Sequence, residues 1–538
     1  MSKLLKSTGL LLLLVGGLVW LVSLWQWHNT GRDVQMADIV LQLLVLPVVL
    51  VGVLLFALWA VPRMRASAQA SSTAGVAVDS ASASATAHAD EAPVPTAWLV
   101  AEALNTPLGP DAGDVLSKLI EGPSAPGLDP ELTDSQGLPI FSARGAVSDH
   151  SQDLPPELLA DDDPAWPALS DGQPWSLAAR RALLRLEPVI AQLVDALQER
   201  LRLAPAQAWD DAGPHALSAS NDGDTVGARN HLSGVARPVT PAMVRQQADR
   251  APVLTVRLLL PAAWRPAERE QAVQWVRERA AGVLDWAQAQ QAQGIRWVHE
   301  PLTEPDALWR ELTQLWLQWS RDPRPQACLL LATDSALDAD RIAQWEATGQ
   351  LFTAEHQHGR VPGEAAAGLL IAHPAWPAPH QADDEAPRLA VSSPLVAHRD
   401  KSADALGRIG HRELLALLQS AWPRLTVPLQ EVLVLADADH RASRASELYE
   451  AVVEAQPELD PDTQVLRAGV SLGDMGEARG LLAVALAATA VRQGHPAKAV
   501  LTTLLQHSHE RVLIPVWRVE SDPASSPSGA PAQAPTHA

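Results

Sequence analysis

Cys328 is the only cysteine in 538 residues. The chain therefore carries one candidate thiol nucleophile and has no means of building an intrachain disulfide or a multi-thiolate zinc site. That thiol heads an apolar run, CLLLATDS, from Cys328 to Ser335, which reads as a buried strand, where a cysteine packs as a small hydrophobe and lacks the exposure and positive field that generate thiolate. Histidines alternate at His356 and His358 beside Glu355, and again at His507 and His509. Both pairs fall on polar turns and read as solvated loop residues, so no metal site is expected. No GxGxxG follows a strand, and neither GxxxxGK[ST] nor HExxH occurs, so no cofactor is expected. With 41 Lys and Arg against 62 Asp and Glu, the formal charge is −21. Without a basic face to release counterions, nucleic acid is excluded as a main partner.

The elements that must position any site are legible as alternating apolar runs and amphipathic stretches. Residues 253–260, 327–333, 366–372, 431–437 and 512–519 read as strands buried on both faces, and 268–293, 304–320, 410–421, 442–455 and 477–493 have helical periodicity. Their alternation predicts an α/β body. Ahead of it, residues 8–25 and 39–61 are apolar and free of ionisable side chains, each long enough to cross a hydrocarbon core of about 30 Å as a transmembrane helix. Gln26-Trp27-His28 after the first is not a small-x-small cleavage site, which favours an anchor over a signal peptide. Lys3 and Lys6 before the first span and Arg63 and Arg65 after the second put both termini and the soluble body in the cytoplasm, with the lipid bilayer of a bacterial inner membrane as a partner. Residues 66–96 are an Ala/Ser-rich disordered linker, 205–250 and 374–387 are insertions, and 521–538 are a disordered tail.

Four collinear stretches carry a family resemblance. Cys328 to Leu337, followed by Gly349-Gln350-Leu351-Phe352 and by GRVPGEAAAGLL from Gly359 to Leu370, resembles the β-ketoacyl synthases of the thiolase-like superfamily. There a core strand ends at an acidic residue plus Ser, and a Pro-Gly-Glu segment enters the next strand. GDMGEARG from Gly473 to Gly480 is similar to the synthase Gly-His-x-x-Gly-Ala-Ala-Gly segment. WLVAEALNTPLGPDAGDVLSKLIEG, from Trp98 to Gly122, resembles the synthase N-terminus of strand, Pro-Leu-Gly turn and helix closing on Gly. The resemblance implies a thiolase-like layered fold of two pseudo-repeated halves over 97–520, preceded by the two membrane helices. It also implies a homodimer, or a heterodimer with a second synthase-like chain, paired along the strand leading to the Cys328 segment.

The same resemblance locates three catalytic positions, and this chain departs from each. The nucleophile position, at the start of the helix preceding the Cys328 strand, falls near Thr303, which with Pro305 and Asp306 suits a helix cap. The first histidine position falls on Asp437, or on His440 if the alignment slides by three, and the second falls on Asp474. A carboxylate there would repel a thioester enolate. Asp437, Arg444 and Glu447 are expected to form a local ion pair instead. The expectation is a pseudoenzyme without condensing activity, acting as a scaffold or accessory subunit of a membrane-associated complex. Substituted relatives of this kind are similar to accessory proteins of bacterial secretion systems, including type VI. The alternatives are an acyl-chain-binding sensor and an acyltransferase of the 3-oxoacyl synthase type with an atypical nucleophile.

Overall fold

The computed structural model describes residues 96–145, 166–201, 252–289, 295–302, 307–319, 321, 325–374, 376, 388–405, 407–425, 427–494 and 497–519. Residues 8–25 and 39–61, both proposed insertions except Pro374 and Trp376, the linker up to Pro95 and the tail lie outside the described residues. Among the described residues no helix is long and apolar enough to cross a membrane.

The body begins as the N-terminal motif suggests. Strand β1 (Thr96–Asn105) runs into a turn closed by reciprocal hydrogen bonds between Thr106 and Gly109. Helix α1 (Ala112–Glu121) follows, started by Asp111, whose side chain accepts the Asp114 N–H, and ended at Gly122 with φ 135. Its apolar residues Val115, Leu116 and Leu119 fall on one stripe and are buried. A hairpin of β2 (Gly127–Thr133) and β3 (Pro139–Ser142) stands apart as its own two-stranded sheet. Helix α2 (Leu177–Arg200) then leads to β4 (Val253–Pro261), α3 (Pro266–Arg279), α4 (Gly282–Ala289), β5 (Ile295–Leu302), α5 (Ala307–Trp319), β6 (Gln326–Ser335), α6 (Ala339–Ala347) and β7 (Glu364–Ala372). The second part runs β8 (Arg388–Ser392), β9 (Leu395–His398), α7 (Arg412–Ala421), β10 (Val432–Ala436), α8 (Ala442–Ala455), α9 (Pro461–Gln464), β11 (Val465–Arg467), α10 (Ala468–Leu472), α11 (Arg479–Gln493), β12 (Ala499–Leu504) and β13 (Glu510–Val519).

The strand order is β11-β10-β12-β13-β8-β1-β7-β6-β4-β5, with β9 added on β13. Read outward from the centre, β1, β7, β6, β4, β5 on one side and β8, β13, β12, β10, β11 on the other follow the same order: first, fifth, fourth, second, third strand of each half. Directions repeat too. β4 runs parallel to β5 and β6, as β10 does to β11 and β12, while β7 and β13 are antiparallel to both their neighbours in the order of their own half. The halves meet where β1 pairs antiparallel with β8, Thr96 opposite Ser392 and Leu99 opposite Leu389. This is an internal duplication, the two pseudo-repeated halves the motifs imply.

Strand periodicity sorts the core into layers. Cys328, Leu330 and Ala332 of β6 and Leu433 and Leu435 of β10 face one shared cluster. The alternate residues Leu329 and Leu331 face a second cluster under α2, α3 and α4. Val432, Val434 and Ala436 face a third under α7 and α8. The shared cluster holds Trp309, Leu312, Leu315, Trp316 and Trp319 of α5, and α11, which is buried from Arg479 to Val491 on every side. A helix buried all round must be apolar all round, which explains its Ala/Leu composition.

One expectation is corrected. The helix expected over 268–293 is broken into α3 and α4 around Ala280–Ala281, where the N–H groups of Val283 and Leu284 bond three residues back, to the carbonyls of Ala280 and Ala281. The strand leading to the Cys328 segment, β5, is the edge of the sheet on that side, as expected, while the Cys328 strand β6 itself is interior, between β7 and β4.

Candidate functional site

Charge gathers where the parallel strands end. Strand β6 finishes in Asp334-Ser335 and β10 is followed by Asp437, all buried. The segment 473–479 supplies Asp474, Glu477 and Arg479, and the loop before β7 supplies Arg360. Chain crossings here are close. A Cβ on Gly476, where φ is +51, would lie 1.8 Å from Asp334 Oδ2, so glycine is required both by the backbone and by the carboxylate against it.

Asp474 is 7% exposed. Its Oδ2 accepts from Arg360 Nη1 at 3.1 Å and its Oδ1 accepts the Gly476 N–H at 3.0 Å. Burial alone would raise its pKa, but Arg360, Arg479, the Gly476 N–H and Arg341 outweigh it and bring it down to about 2. Asp437 accepts the backbone N–H of Leu505 at 2.5 Å and of Gln506 at 3.4 Å, and lies 3.7 Å from Arg479 Nε. The structure thus brings two of the expected positions under the influence of Arg479, which lies 3.7 Å from Asp437 and helps to hold Asp474 ionised. Asp334 pairs with Arg341 at 2.9 Å. Of these carboxylates Asp474 is held firmly in its charged form, because the nearby guanidiniums favour the carboxylate over the acid.

The other expected residues fare differently. Thr303 lies outside the described residues, and α5 is described from Ala307. Cys328 is fully buried in β6, and burial, opposed only by Arg257, pushes its thiol up to about 12. His440 turns its ring edge toward Phe352, centroids 4.8 Å apart. Its Nε2 is buried with no hydrogen-bond partner, and no hydrogen bond links it to Asp474. His356 and His358 are exposed on the loop before β7, as expected. The ion pair expected among Asp437, Arg444 and Glu447 does not form. Glu447 is taken by Arg399 at 2.5 Å and Arg511 at 2.7 Å, and Arg444 reaches Asp404 at 2.8 Å. Helical spacing brings 444 and 447 to one face, but buried arginines from other elements compete successfully for the glutamate.

Sequence reasoning missed two features. One is the Glu364 centre at the start of β7, where Arg181 donates Nε at 2.8 Å and Nη2 at 2.6 Å, Arg185 donates Nη2 at 2.6 Å, and the Ser335 hydroxyl donates at 3.2 Å. Burial opposes ionisation there, yet Arg185 and Arg181 bring Glu364 down to about 2. The usable signal is Arg181 and Arg185 at i,i+4 on the stripe that also carries the apolar Ala178, Ala182 and Val189. The other is a Gly-x-Ser-x-Gly string, Gly469 to Gly473. Its Ser471 sits in the short α10, 5% exposed, accepting the Ser124 N–H at 3.1 Å. A nucleophile elbow instead presents its serine to a histidine base at a strained strand-to-helix turn, and among the described residues no histidine is hydrogen-bonded to Ser471.

No protein-family model matches the chain, and no curated protein matches it. Among solved structures it is similar to the ketosynthase of a type II polyketide synthase in complex with its acyl-carrier protein, with 10% identity and a TM-score of 0.48 over 79% of this chain and 100% of that one. It is also similar to an oxazolomycin ketosynthase domain of Streptomyces albus, with 12% identity and a TM-score of 0.42 over 82% and 76%. A type III pentaketide synthase from Neurospora crassa gives 10% identity and a TM-score of 0.37 over 79% and 100%.

Proposed function

We propose that this chain is a membrane-tethered, ketosynthase-like protein of the thiolase-like superfamily that no longer condenses acyl groups and serves as a scaffold or accessory subunit of a membrane-associated complex, with secretion machinery as one such setting. The superfamily reading draws support from the duplicated five-strand order and the collinear motifs. The loss of chemistry rests on one observation: Asp474, at a position the resemblance assigns to histidine, is a buried carboxylate held by Arg360 and the Gly476 N–H. An imidazole there could donate to a developing enolate oxygen, whereas a carboxylate with its pKa near 2 can only repel it. The partner in such a complex is a second synthase-like chain, identical or not, added at the β5 edge.

The test is incubation of the purified chain with acyl thioesters, followed by intact mass and thioester turnover. The expected result is unmodified mass and no turnover, with a stable protein complex recovered from membranes. A covalent acyl adduct mapped to Cys328, Thr303 or Ser471 would overturn this reading in favour of an enzyme.

A further inference from the structure

A second buried charge cluster lies at the N-terminal end of α8, joined to the site described above through Gln506, whose N–H reaches Asp437 and whose carbonyl accepts from Arg444. Four guanidiniums meet there from four places in the chain: Arg399 just after β9, Arg441 before α8, Arg444 in its first turn and Arg511 in β13. Each is 6% exposed or less. Three carboxylates reach them. Glu447 takes Arg511 through Nε at 2.7 Å and Nη2 at 2.8 Å, and also Arg399. Asp439 takes Arg441 Nε at 2.9 and 3.1 Å. Asp404 offers one oxygen, Oδ1, to Arg441 Nη1 at 3.2 Å and to Arg444 Nη2 at 2.8 Å. Glu510 is turned toward His398 at 3.4 Å.

The balance is uneven in a way that singles out Arg444. It is fully buried and shares its single carboxylate oxygen with Arg441. Its other bonds go to neutral acceptors, the Gln506 carbonyl at 3.1 Å and the Ser443 hydroxyl at 3.1 Å, and its Nε has no partner. Burial and the like charges of Arg441 and Arg511 pull its pKa to about 10. A buried charge left short of compensation is strongly unfavourable. Asp404 differs from the other two acids because its side chain is 46% exposed and it sits on a loop, not on a strand or helix. With Asp404 swung out, Glu447 and Asp439 still hold Arg399, Arg511 and Arg441 directly, and Arg444 loses its carboxylate contact. Phosphate groups carry about −1.5 to −2 at neutral pH. The first turn of the 14-residue α8, whose N-cap Arg441 makes no side-chain cap bond, adds N–H groups and a favourable dipole.

We infer that Arg441, Ser443, Arg444 and the first turn of α8 form a binding site for a phosphate-type dianion, in which the chain's own Asp404 takes the ligand's place. Binding then exchanges an internal carboxylate for an external oxyanion and frees the loop that carries Asp404. Guanidinium groups suit this exchange because their planar fork donates to carboxylate and phosphate oxygens alike. The inference stands on the arginine cluster alone and does not depend on whether the body condenses acyl groups.

The experiment is calorimetric titration of the full-length chain in detergent with inorganic phosphate, phenyl phosphate and acetate, beside thermal melts. Asp404→Asn removes the internal competitor, so phosphate should bind this variant tighter by roughly tenfold or more and raise its melting temperature further than that of the unaltered chain. Arg444→Gln should lose the saturable signal. Acetate, a monoanion, should bind neither protein to saturation. Phenyl phosphate binding as well as phosphate would assign the site to a monoester, and phosphate alone would assign it to the free ion. A folded Asp404→Asn chain with no saturable phosphate binding at tens of millimolar overturns the inference, as does phosphate binding that survives Arg444→Gln. Should Asp404→Asn fail to fold, the unaltered chain and Arg444→Gln decide between the same two outcomes.

Discussion

The two halves of the sheet share strand order and direction but fill their interiors differently. In the first half the outer face is closed by the 24-residue α2, which carries its own buried charge, Arg181 and Arg185, onto Glu364 of β7. In the second half the shorter α7 and α8 cover the sheet with aliphatic residues, and charge is displaced to the strand ends at Asp437, Asp439 and the arginine cluster. The shared core between them is equally lopsided, with three tryptophans on α5 and an alanine-rich α11 buried on all sides. Backbone topology here tolerates very different side-chain sets, provided each layer keeps its apolar period and its total volume. What differs is how each half neutralises the polar groups it buries, and that can be measured.

The largest effect should come from Glu364→Gln. It leaves Arg181 and Arg185 buried without their counter-charge, and breaking a buried pair in this way costs about 3–5 kcal/mol. The glutamate is depressed to about 2 in the fold from an ordinary 4.5. Its stabilisation is therefore complete above pH 4.5 and is lost as pH falls from 4.5 toward 2. Urea midpoints across that window should fall steeply for the unaltered chain and be flatter for the variant. Equal slopes would mean that the first half does not rely on this centre.

Next is Gly368→Ala on β7. A Cβ there would lie 2.5 Å from Leu193 Cδ1 of α2 and 2.9 Å from the Leu330 carbonyl oxygen. The leucine can shift but the strand cannot, so the cost should be about 1–3 kcal/mol in urea unfolding. An unchanged midpoint would show that α2 packs more loosely than its buried face suggests.

How much of this was legible in sequence depends on the range of the interaction concerned. Strands β4, β6, β7, β10 and β13 and helix α8 are set by local apolar periodicity and fall within two residues of where that periodicity puts them. Helix α2 escaped because Pro188 and its buried arginines disguise its apolar stripe, and β12 because AVLTTL is short and one-third threonine. At the site, the carboxylates at 437 and 474 were legible as departures from a motif. Their partners were not: Arg360 lies 114 residues from Asp474, and the Leu505 and Gln506 amides lie 68 and 69 residues from Asp437. The missing ion pair of Asp437, Arg444 and Glu447 has the same origin, since a local spacing rule cannot foresee Arg399 and Arg511 arriving from distant parts of the chain.

A smaller effect is expected from Asp474→Asn in the second half. Arg360 keeps about a third of its side chain in water, so it can rehydrate when its partner is neutralised, and the loss should sit near 1 kcal/mol, at the low end for a buried polar partner. Asp474 is lowered to about 2 from 3.8, so its contribution is present above pH 3.8 and lost between 3.8 and 2. A cost as large as that of Glu364→Gln would erase the distinction between the halves.

The smallest effect should come from the surface of the second half. Arg408 reaches Glu450 at 3.1 Å, with Arg408 83% and Glu450 36% exposed, and His411 spans Glu450 and Glu454 at 3.0 and 2.7 Å. Arg408 is the largest influence holding Glu450 below the ordinary glutamate range. Ion pairs in water gain little, because solvent screens the attraction and ordering two long side chains consumes what remains. Arg408→Ala should therefore leave the urea midpoint unchanged within error at neutral pH, and raising salt should change the variant and the unaltered chain alike. A clear loss of stability would show that the network around His411 ties α7 to α8 as firmly as Glu364 ties α2 to the sheet. The contrast between the halves would then lie in where each places its charge and not in how much each depends on it.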